Sequence, residues 1–514
     1  MHAQSLIVYI CALFALAGVS AADVQKRSFS VNRVANPNFT GRNGPRALVR
    51  AYRKFLMPLP DGLVDAMEAQ DKQQAAARLR RSIPESFRPL RLRQPDRRGL
   101  LDDLLGGLDM KGGKQDGNQG GNGGNGGNGG NRDGNGNGNN GNGEQNGNRK
   151  GNGNGSNGNR GGNDDNNGNR NGTVGAPSNS TAPGTNQTGS TVADPERNDA
   201  EFISPVKIGG QTINLDFDTG SSDLWVFNTQ LGPGVDAGHR VFDPNRSQTF
   251  QPMQGATFNI SYGDGSGAVG NVGTDVVDVG GASFPNQTVQ LATRVSASFA
   301  QDRDNDGLMG LAFSKINTVK PVRQATFFDN VKDSLAEPVF TADLRKSARG
   351  SYAFGSIDES KFKGPMAWIP VNSSQGFWQF SSEKFAVNGG QPQASTPGGQ
   401  AIADTGTSLM LADPVVVEAY YSQVEGAQNN RQQGGVTFPC NAKLPDLDVD
   451  IGGVYMAKVL GTDMVFAEVG NGECFGGLQA SPAPKFAIYG DIFFKSQFVA
   501  FNGGNASLGM APHA

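Results

Sequence analysis

Histidine is almost missing from this chain. Its 514 residues include only His2, His239 and His513, the first in an N-terminal leader and the last beside the chain end. So few imidazoles leave neither a Ser-His-Asp triad nor a His-based zinc site to build. Cysteine is equally scarce, and Cys11 belongs to the same leader. Cys440 and Cys474 are therefore expected to pair in an oxidising compartment, closing a loop of about 34 residues and adding roughly 3–4 kcal/mol by the chain-entropy argument. A bridged pair leaves no thiolate nucleophile. Long apolar runs are also lacking. "SLIVYICALFALAGV" at 5–19 is too short to span a bilayer and is followed by "SAAD", where Val19 and Ala21 suit a signal peptidase. Residues 1–21 read as a secretory signal. No later segment is long and apolar enough for a membrane span, and the C-terminus lacks the tail of a lipid-anchor signal, so the expected product is secreted, extracellular and free of the membrane.

The charge is uneven. Residues 1–190 carry 24 basic and 15 acidic side chains, net +9, and residues 191–514 carry 21 and 33, net −12. A basic front and an acidic back attract each other until the carboxylates protonate, which makes an intramolecular partner the natural reading and a nucleic-acid partner an unneeded one. Sequons at Asn38, Asn245, Asn259, Asn286, Asn372 and Asn505 suit a glycoprotein of the secretory route.

Composition divides the chain further. Residues 22–110 form a basic prosegment, with a helix expected around "DAMEAQDKQQAAARLRR" and dibasic pairs at Lys26-Arg27, Arg80-Arg81 and Arg97-Arg98. Residues 111–190 are dominated by Gly and Asn, as in "GGNGGNGGNGGN", and are expected to be a disordered tether because they cannot bury a core. Beyond them lie short apolar runs punctuated by Gly, Asn and Pro, such as "FISPVKI", "INLDFD", "LWVF" and "FNISYG". These predict an all-β structure, with short helices at "TFFDNVKDSL" and "DPVVVEAYYSQV". Some 320 residues of this pattern predict two lobes, 191–365 and 366–514.

One pattern occurs twice. "DFDTGSSDLWVF" holds Asp218-Thr219-Gly220-Ser221, and "ADTGTSLML" holds Asp404-Thr405-Gly406-Thr407. An apolar-Gly element follows each: Gly310 in "DGLMGLAF" is 92 residues after Asp218, and Gly490 in "AIYGDIFF" is 86 after Asp404. The glycines allow tight turns that bring backbone N–H groups to the carboxylates, Thr219 and Thr405 can lock the two loops together, and Ser221 and Thr407 can bond the outer acid oxygens. Two carboxyls brought together this way share one proton over a range of acidic pH, and can take a proton from water while giving one to a carbonyl oxygen.

On these motifs, with "ISYGDGSG", "NDGLMGLAFSKINTV", "QATFFDNVK", "NSSQGFW", "IADTGTSLMLADP" and "GDIFFKSQFVAF", residues from about 197 to 514 resemble the pepsin family of aspartic endopeptidases, in particular secreted fungal acid proteases of the aspergillopepsin and penicillopepsin kind. The resemblance implies a bilobal, pseudo-symmetric β fold with a cleft between lobes, no cofactor, no metal and a monomeric state. It implies that Asp218 and Asp404 are catalytic, that Tyr262 sits on a flap over the substrate and is bonded by Trp225, and that Gly220, Gly263, Asp264, Gly406 and Thr407 contact substrate. Phe299 and Leu308 would line the pocket before the scissile bond. Protein and peptide substrates with large apolar residues there are implied, with Lys accepted through Asp264, and Cys440 and Cys474 match the family disulfide. The front part resembles a prosegment in outline at "FSVNRVANPNFTGRNGPRALVRAYRKF", whose basic face would hold a zymogen inactive near neutrality, with Lys54 the candidate by position to reach the dyad.

Two signals mislead. "DRDNDG" at 302–307 imitates half a calcium loop but has Phe313 where the closing Glu belongs, and reads better as a turn into the next strand. A glycosidase also uses two carboxyls, but farther apart and without paired Asp-Thr-Gly loops. The sequon at Asn259 lies three residues before Tyr262, where a glycan would hinder the flap, so it is expected to stay unmodified.

Overall fold

The computed structural model describes residues 43–55, 57–82, 186–196, 201–232, 234–262, 266–483 and 485–514, with the backbone alone for 74–82. The expected signal segment, the sequon at Asn38, the dibasic pairs at 26–27 and 97–98, and nearly all of the tether lie outside these residues. Among the described residues no helix is long and apolar enough to cross a membrane.

Strands dominate. In chain order those that build the site and its platform are β1 (Gly189–Pro195), β2 (Phe202–Ile208), β3 (Gln211–Asp218), β4 (Leu224–Phe227), β5 (Gln251–Ser261), β6 (Gly267–Val279), β7 (Ala282–Val295), β8 (Gly307–Gly310), β9 (Val339–Arg345), β10 (Ala348–Phe354), β11 (Ala367–Pro370), β12 (Gln379–Ser381), β13 (Gln400–Ala403), β14 (Met410–Ala412), β15 (Leu478–Ala480), β16 (Phe486–Tyr489), β17 (Gln497–Asn502) and β18 (Ser507–Pro512). One sheet runs β11-β18-β17-β9-β10-β1-β2-β3-β8-β4-β7-β6-β5, and a second runs β12-β13-β16-β14-β15. Two four-stranded sheets complete the C-terminal lobe.

The repeat in the sequence is a repeat in the topology. β8 lies parallel to β3 and antiparallel to β4, while β4 is parallel to β7. In the other lobe β16 lies parallel to β13 and antiparallel to β14, while β14 is parallel to β15. Each Asp-Thr-Gly loop therefore leaves one strand, turns back along another, and has the apolar-Gly strand threaded between the two. The glycines permit that threading: a Cβ on Gly310 would come within 2.4 Å of the Asp223 nitrogen, and one on Gly490 within 2.0 Å of the Thr407 carbonyl.

The lobes share a platform. β17 pairs with β9, and Phe340 stacks on Phe501 at 4.4 Å with Trp378 edge-on to Phe501, so apolar burial holds the two lobes together. A division at 365–366 falls just before β11, itself a strand of this shared sheet. β1 begins at Gly189, inside the stretch expected to be tether, because Gly189 packs against Val279 and Ala282 where no side chain would fit.

Two helices precede the strands. α1 (Gly44–Lys54) opens with Asn43 accepting from the Arg46 N–H and has Pro45 in its first turn. This helix was not expected from composition, since its arginines hide an apolar stripe. α2 (Leu63–Ser82) covers the helix that was expected. Leu48, Val49, Tyr52, Met57 and Leu63 join Ile402, Leu409, Phe466, Phe475 and Ile488 in one apolar cluster, which seats the two helices on the C-terminal lobe. The short helices Phe327–Val331 and Pro414–Tyr421 lie where expected, the second capped by Asp413, which accepts from the Val415 N–H.

Candidate active site

β3 and β13 end at the two acids, and the loops that follow lock together through their threonines. Thr219 Oγ1 donates to the Ala403 carbonyl at 2.9 Å and Thr405 Oγ1 to the Phe217 carbonyl at 2.6 Å. The Thr405 N–H donates to Thr219 Oγ1 at 2.9 Å, and the Thr219 N–H to Thr405 Oγ1 at 3.2 Å. All these groups are buried, so each bond lost would leave an unsatisfied partner.

Each carboxyl is held in the same way. Asp218 Oδ1 accepts from the Gly220 N–H at 2.8 Å and its Oδ2 from Ser221 Oγ at 2.7 Å; Asp404 Oδ1 accepts from the Gly406 N–H at 3.1 Å and its Oδ2 from Thr407 Oγ1 at 2.5 Å. The acids also cross-pack. A Cβ on Gly220 would lie 2.4 Å from Asp404 Oδ1, and one on Gly406 2.3 Å from Asp218 Oδ1.

Between them sits one cation. Lys54, the last residue of α1, puts Nζ 2.7 Å from Asp218 Oδ1 and 3.0 Å from both oxygens of Asp404. Burial opposes ionisation of Asp218, but the Lys54 ammonium and hydrogen bonds from Lys54 and Ser221 outweigh it and hold this carboxyl below its ordinary range. At Asp404 burial and the Asp218 charge win over Lys54, and the carboxyl is pushed up to about 6. Burial pulls Lys54 down, yet the two acids together hold it above its ordinary value.

Tyr262 Oη accepts from Trp225 Nε1 at 2.8 Å, and burial keeps its phenol protonated well past its ordinary range. Phe299 stands edge-on to both rings, 4.9 Å from Trp225 and 5.5 Å from Tyr262, and Leu308 belongs to the same apolar cluster. The structure thus gathers Tyr262, Trp225, Phe299 and Leu308 into one wall. Gly263 and Asp264 lie outside the described residues. Cys440 and Cys474 are bonded, 34 residues apart.

With two interlocked Asp-Thr-Gly loops and paired buried carboxyls in view, the chain can be set beside known proteins. The eukaryotic aspartyl protease family model matches residues 201–513. This chain belongs to that family. The aspartyl protease is 49% identical over 329 residues to aspergillopepsin-1 of Aspergillus fumigatus and, over a stretch of the same length, to penicillopepsin-1 of Penicillium rubens, in each case over 64% of this chain and 82% of the relative. It is 49% identical over 328 residues to penicillopepsin-1 of Penicillium janthinellum, covering 99% of that protein. It is an aspartic-type endopeptidase.

Two features of this aspartyl protease were missed in its sequence. Arg50, one helical turn before Lys54, is ion-paired with Glu201, and Tyr52 donates to the Ala480 carbonyl at 2.6 Å. The spacing of four residues between Arg50 and Lys54 was the available signal. Among the described residues, Glu196, Glu201 and Asp302 form the carboxylate group compact enough for a metal, within 4.8 Å of one another. It already has Arg50 as its cation, and burial with mutual proximity pushes Glu196 and Asp302 well above the ordinary range, toward the neutral form. His239 is structural: its ring stacks on Phe227 and bonds the Asn305 and Ala300 carbonyls.

Proposed function

We propose that the protein is made as a secreted zymogen whose prosegment plugs its own site with Lys54, and that acid releases a monomeric endopeptidase in which Asp218 and Asp404 work as one unit. The observation that carries this reading is a single ammonium within 3.0 Å of both carboxyls, in the space a water and a scissile carbonyl would need. Once Lys54 leaves, the two carboxyls share one proton, and Asp218 in its ionised form is the general base that takes a proton from water as the water oxygen attacks the carbonyl carbon. Asp404, protonated, gives its proton to the carbonyl oxygen, and the tetrahedral species collapses as Asp218 passes the proton it took to the amine and Asp404 regains its own. Gly220, Gly406 and Thr407 are the substrate contacts on the loops. Thr219, Ser221 and Trp225 keep their neighbours in place.

Substrate preference follows from the wall of Tyr262, Phe299 and Leu308, which favours a large apolar side chain before the cleaved bond. Acceptance of Lys there is assigned to Asp264 by resemblance, with Gly263 beside it as a backbone contact. The domain scheme of signal, prosegment, tether and two lobes belongs to the same proposal, as does the extracellular destination.

The purified precursor tests it. Near neutrality it should not hydrolyse an apolar chromogenic peptide; after acidification it should, with a shorter chain on a gel and inhibition by a transition-state-mimicking peptide. Asp218→Asn should abolish turnover and self-shortening together. A precursor equally active at neutral and acid pH would sink the zymogen reading while leaving the dyad chemistry intact.

A further inference from the structure

We infer that Asn259 is an N-glycosylation site whose oligosaccharide stands on the outer face of the flap, clear of the cleft. The inference rests on the passage through a glycosylating secretory compartment proposed above. It reverses the expectation drawn from sequence distance to Tyr262, because a strand sends successive side chains to opposite faces. Along β5 and just past it, Ala256, Phe258, Ile260 and Tyr262 are buried, while Thr257, Asn259 and Ser261 are exposed. Phe258, Ile260 and Tyr262 pack into the wall with Trp225, Phe299 and Leu308. Asn259 faces the other way, into solvent.

The folded chain should also keep its own hydrogen bonds when a sugar is attached, and the sequons differ in this. At Asn505 the side-chain oxygen accepts from Ser507, which is itself buried. At Asn372 it caps the Ser374 N–H, and in the Asn286 sequon Thr288 is buried and bonded to Gln324. At Asn259 the amide and the Ser261 hydroxyl are both exposed and neither is hydrogen-bonded among the described residues.

The position has a use. β5 ends the large sheet, and its outward backbone is engaged by Lys320 at Thr257, two residues before Asn259. An edge strand in a protein that binds other chains in extended form invites pairing, and a bulky hydrophilic group beside it prevents that.

The secreted enzyme, made from the full chain in a eukaryotic host, is treated with a peptide N-glycanase in heavy-oxygen water and mapped by mass spectrometry. The Asn259 peptide should carry the heavy-oxygen label, lose it in Ser261→Ala and regain it in Ser261→Thr. Hydrolysis of a short peptide by the native enzyme should be unchanged by deglycosylation, and Asn259→Gln enzyme should aggregate faster on storage. An unlabelled Asn259 peptide in a sample in which any other sequon peptide is labelled overturns the site. Labelled Asn259 with faster short-peptide hydrolysis after deglycosylation overturns the outward placement. Absence of label at every sequon refutes the site together with the secretory reading beneath it, and so differs from failure at Asn259 alone.

Discussion

Asp218 and Asp404 end equivalent strands, accept from equivalent backbone N–H groups and are still shifted in opposite directions, the first down and the second up. The difference lies in their contacts: the shorter bond from Lys54 goes to Asp218, and the penalty for two buried negative charges falls on Asp404. Thr407 is the lever on the second. Its hydroxyl bonds the ionised form of Asp404 and so lowers that carboxyl. On the proposed mechanism Asp404 carries its proton, and Thr407→Val should raise the basic limb of the kcat/KM profile, with turnover persisting to higher pH. An unmoved limb would take the general-acid role away from Asp404. Asp264→Ala should selectively lose cleavage after Lys and keep cleavage after large apolar residues, measured by product mapping on a mixed peptide set.

At the scale of elements the two threaded strands are the demanding parts. Gly490→Ala would drive a Cβ to 2.0 Å from one backbone carbonyl and 2.3 Å from another, and no flexible side chain is there to yield. The folded protein should be lost, or its stability cut by more than about 4 kcal/mol, the range reserved for such mechanisms. Gly232→Ala, with nothing within 4 Å, serves as the control and should keep the wild-type melting temperature. These elements were legible in the sequence because the repeat has a local signature: Asp-Thr-Gly and apolar-Gly each force a backbone geometry on their own residues. The pairing of β17 with β9 has no such signature, since Val499 and Ala342 meet only through the tertiary fold. α1 was obscured for a related reason. Its Arg50 and Lys54 raise the polarity of a segment whose Leu48, Val49 and Tyr52 are buried, and only the partners Glu201, Asp218 and Asp404 explain those charges. The expectation at Asn259 rested on distance along the chain, whereas the alternation of β5 leaves its side chain exposed and buries Phe258 and Ile260.

For the molecule as a whole, the charge asymmetry becomes a clamp with two jaws, Arg50 on Glu201 and Lys54 on the dyad. Lys54 lowers both carboxyls relative to what they would be without it. Groups whose pKa is lower docked than undocked contribute docking stability that is present at higher pH and lost as pH falls through the docked values. For Asp404 the loss sets in above the docked value and is complete as pH falls through about 6, and for Asp218 it is complete lower still. Release should therefore consume protons. Lys54→Met should weaken docking by about 3 kcal/mol, the lower end for a broken buried pair because the dyad can take up a proton instead. Its precursor should begin hydrolysing peptide at a higher pH than wild type, as followed by continuous assay during a slow acid titration. An unchanged onset would place the latch elsewhere than Lys54.

The shared sheet also sets a clock on synthesis. β17 stands between β9 and β18, so the platform cannot be finished until the last strands of the chain leave the ribosome. At about 5–20 residues per second, Gln497 emerges roughly 20–80 s after the end of α2. The helices that will cover the C-terminal lobe are thus made well before the surface they fit, and the newborn chain must be kept from aggregating through that interval.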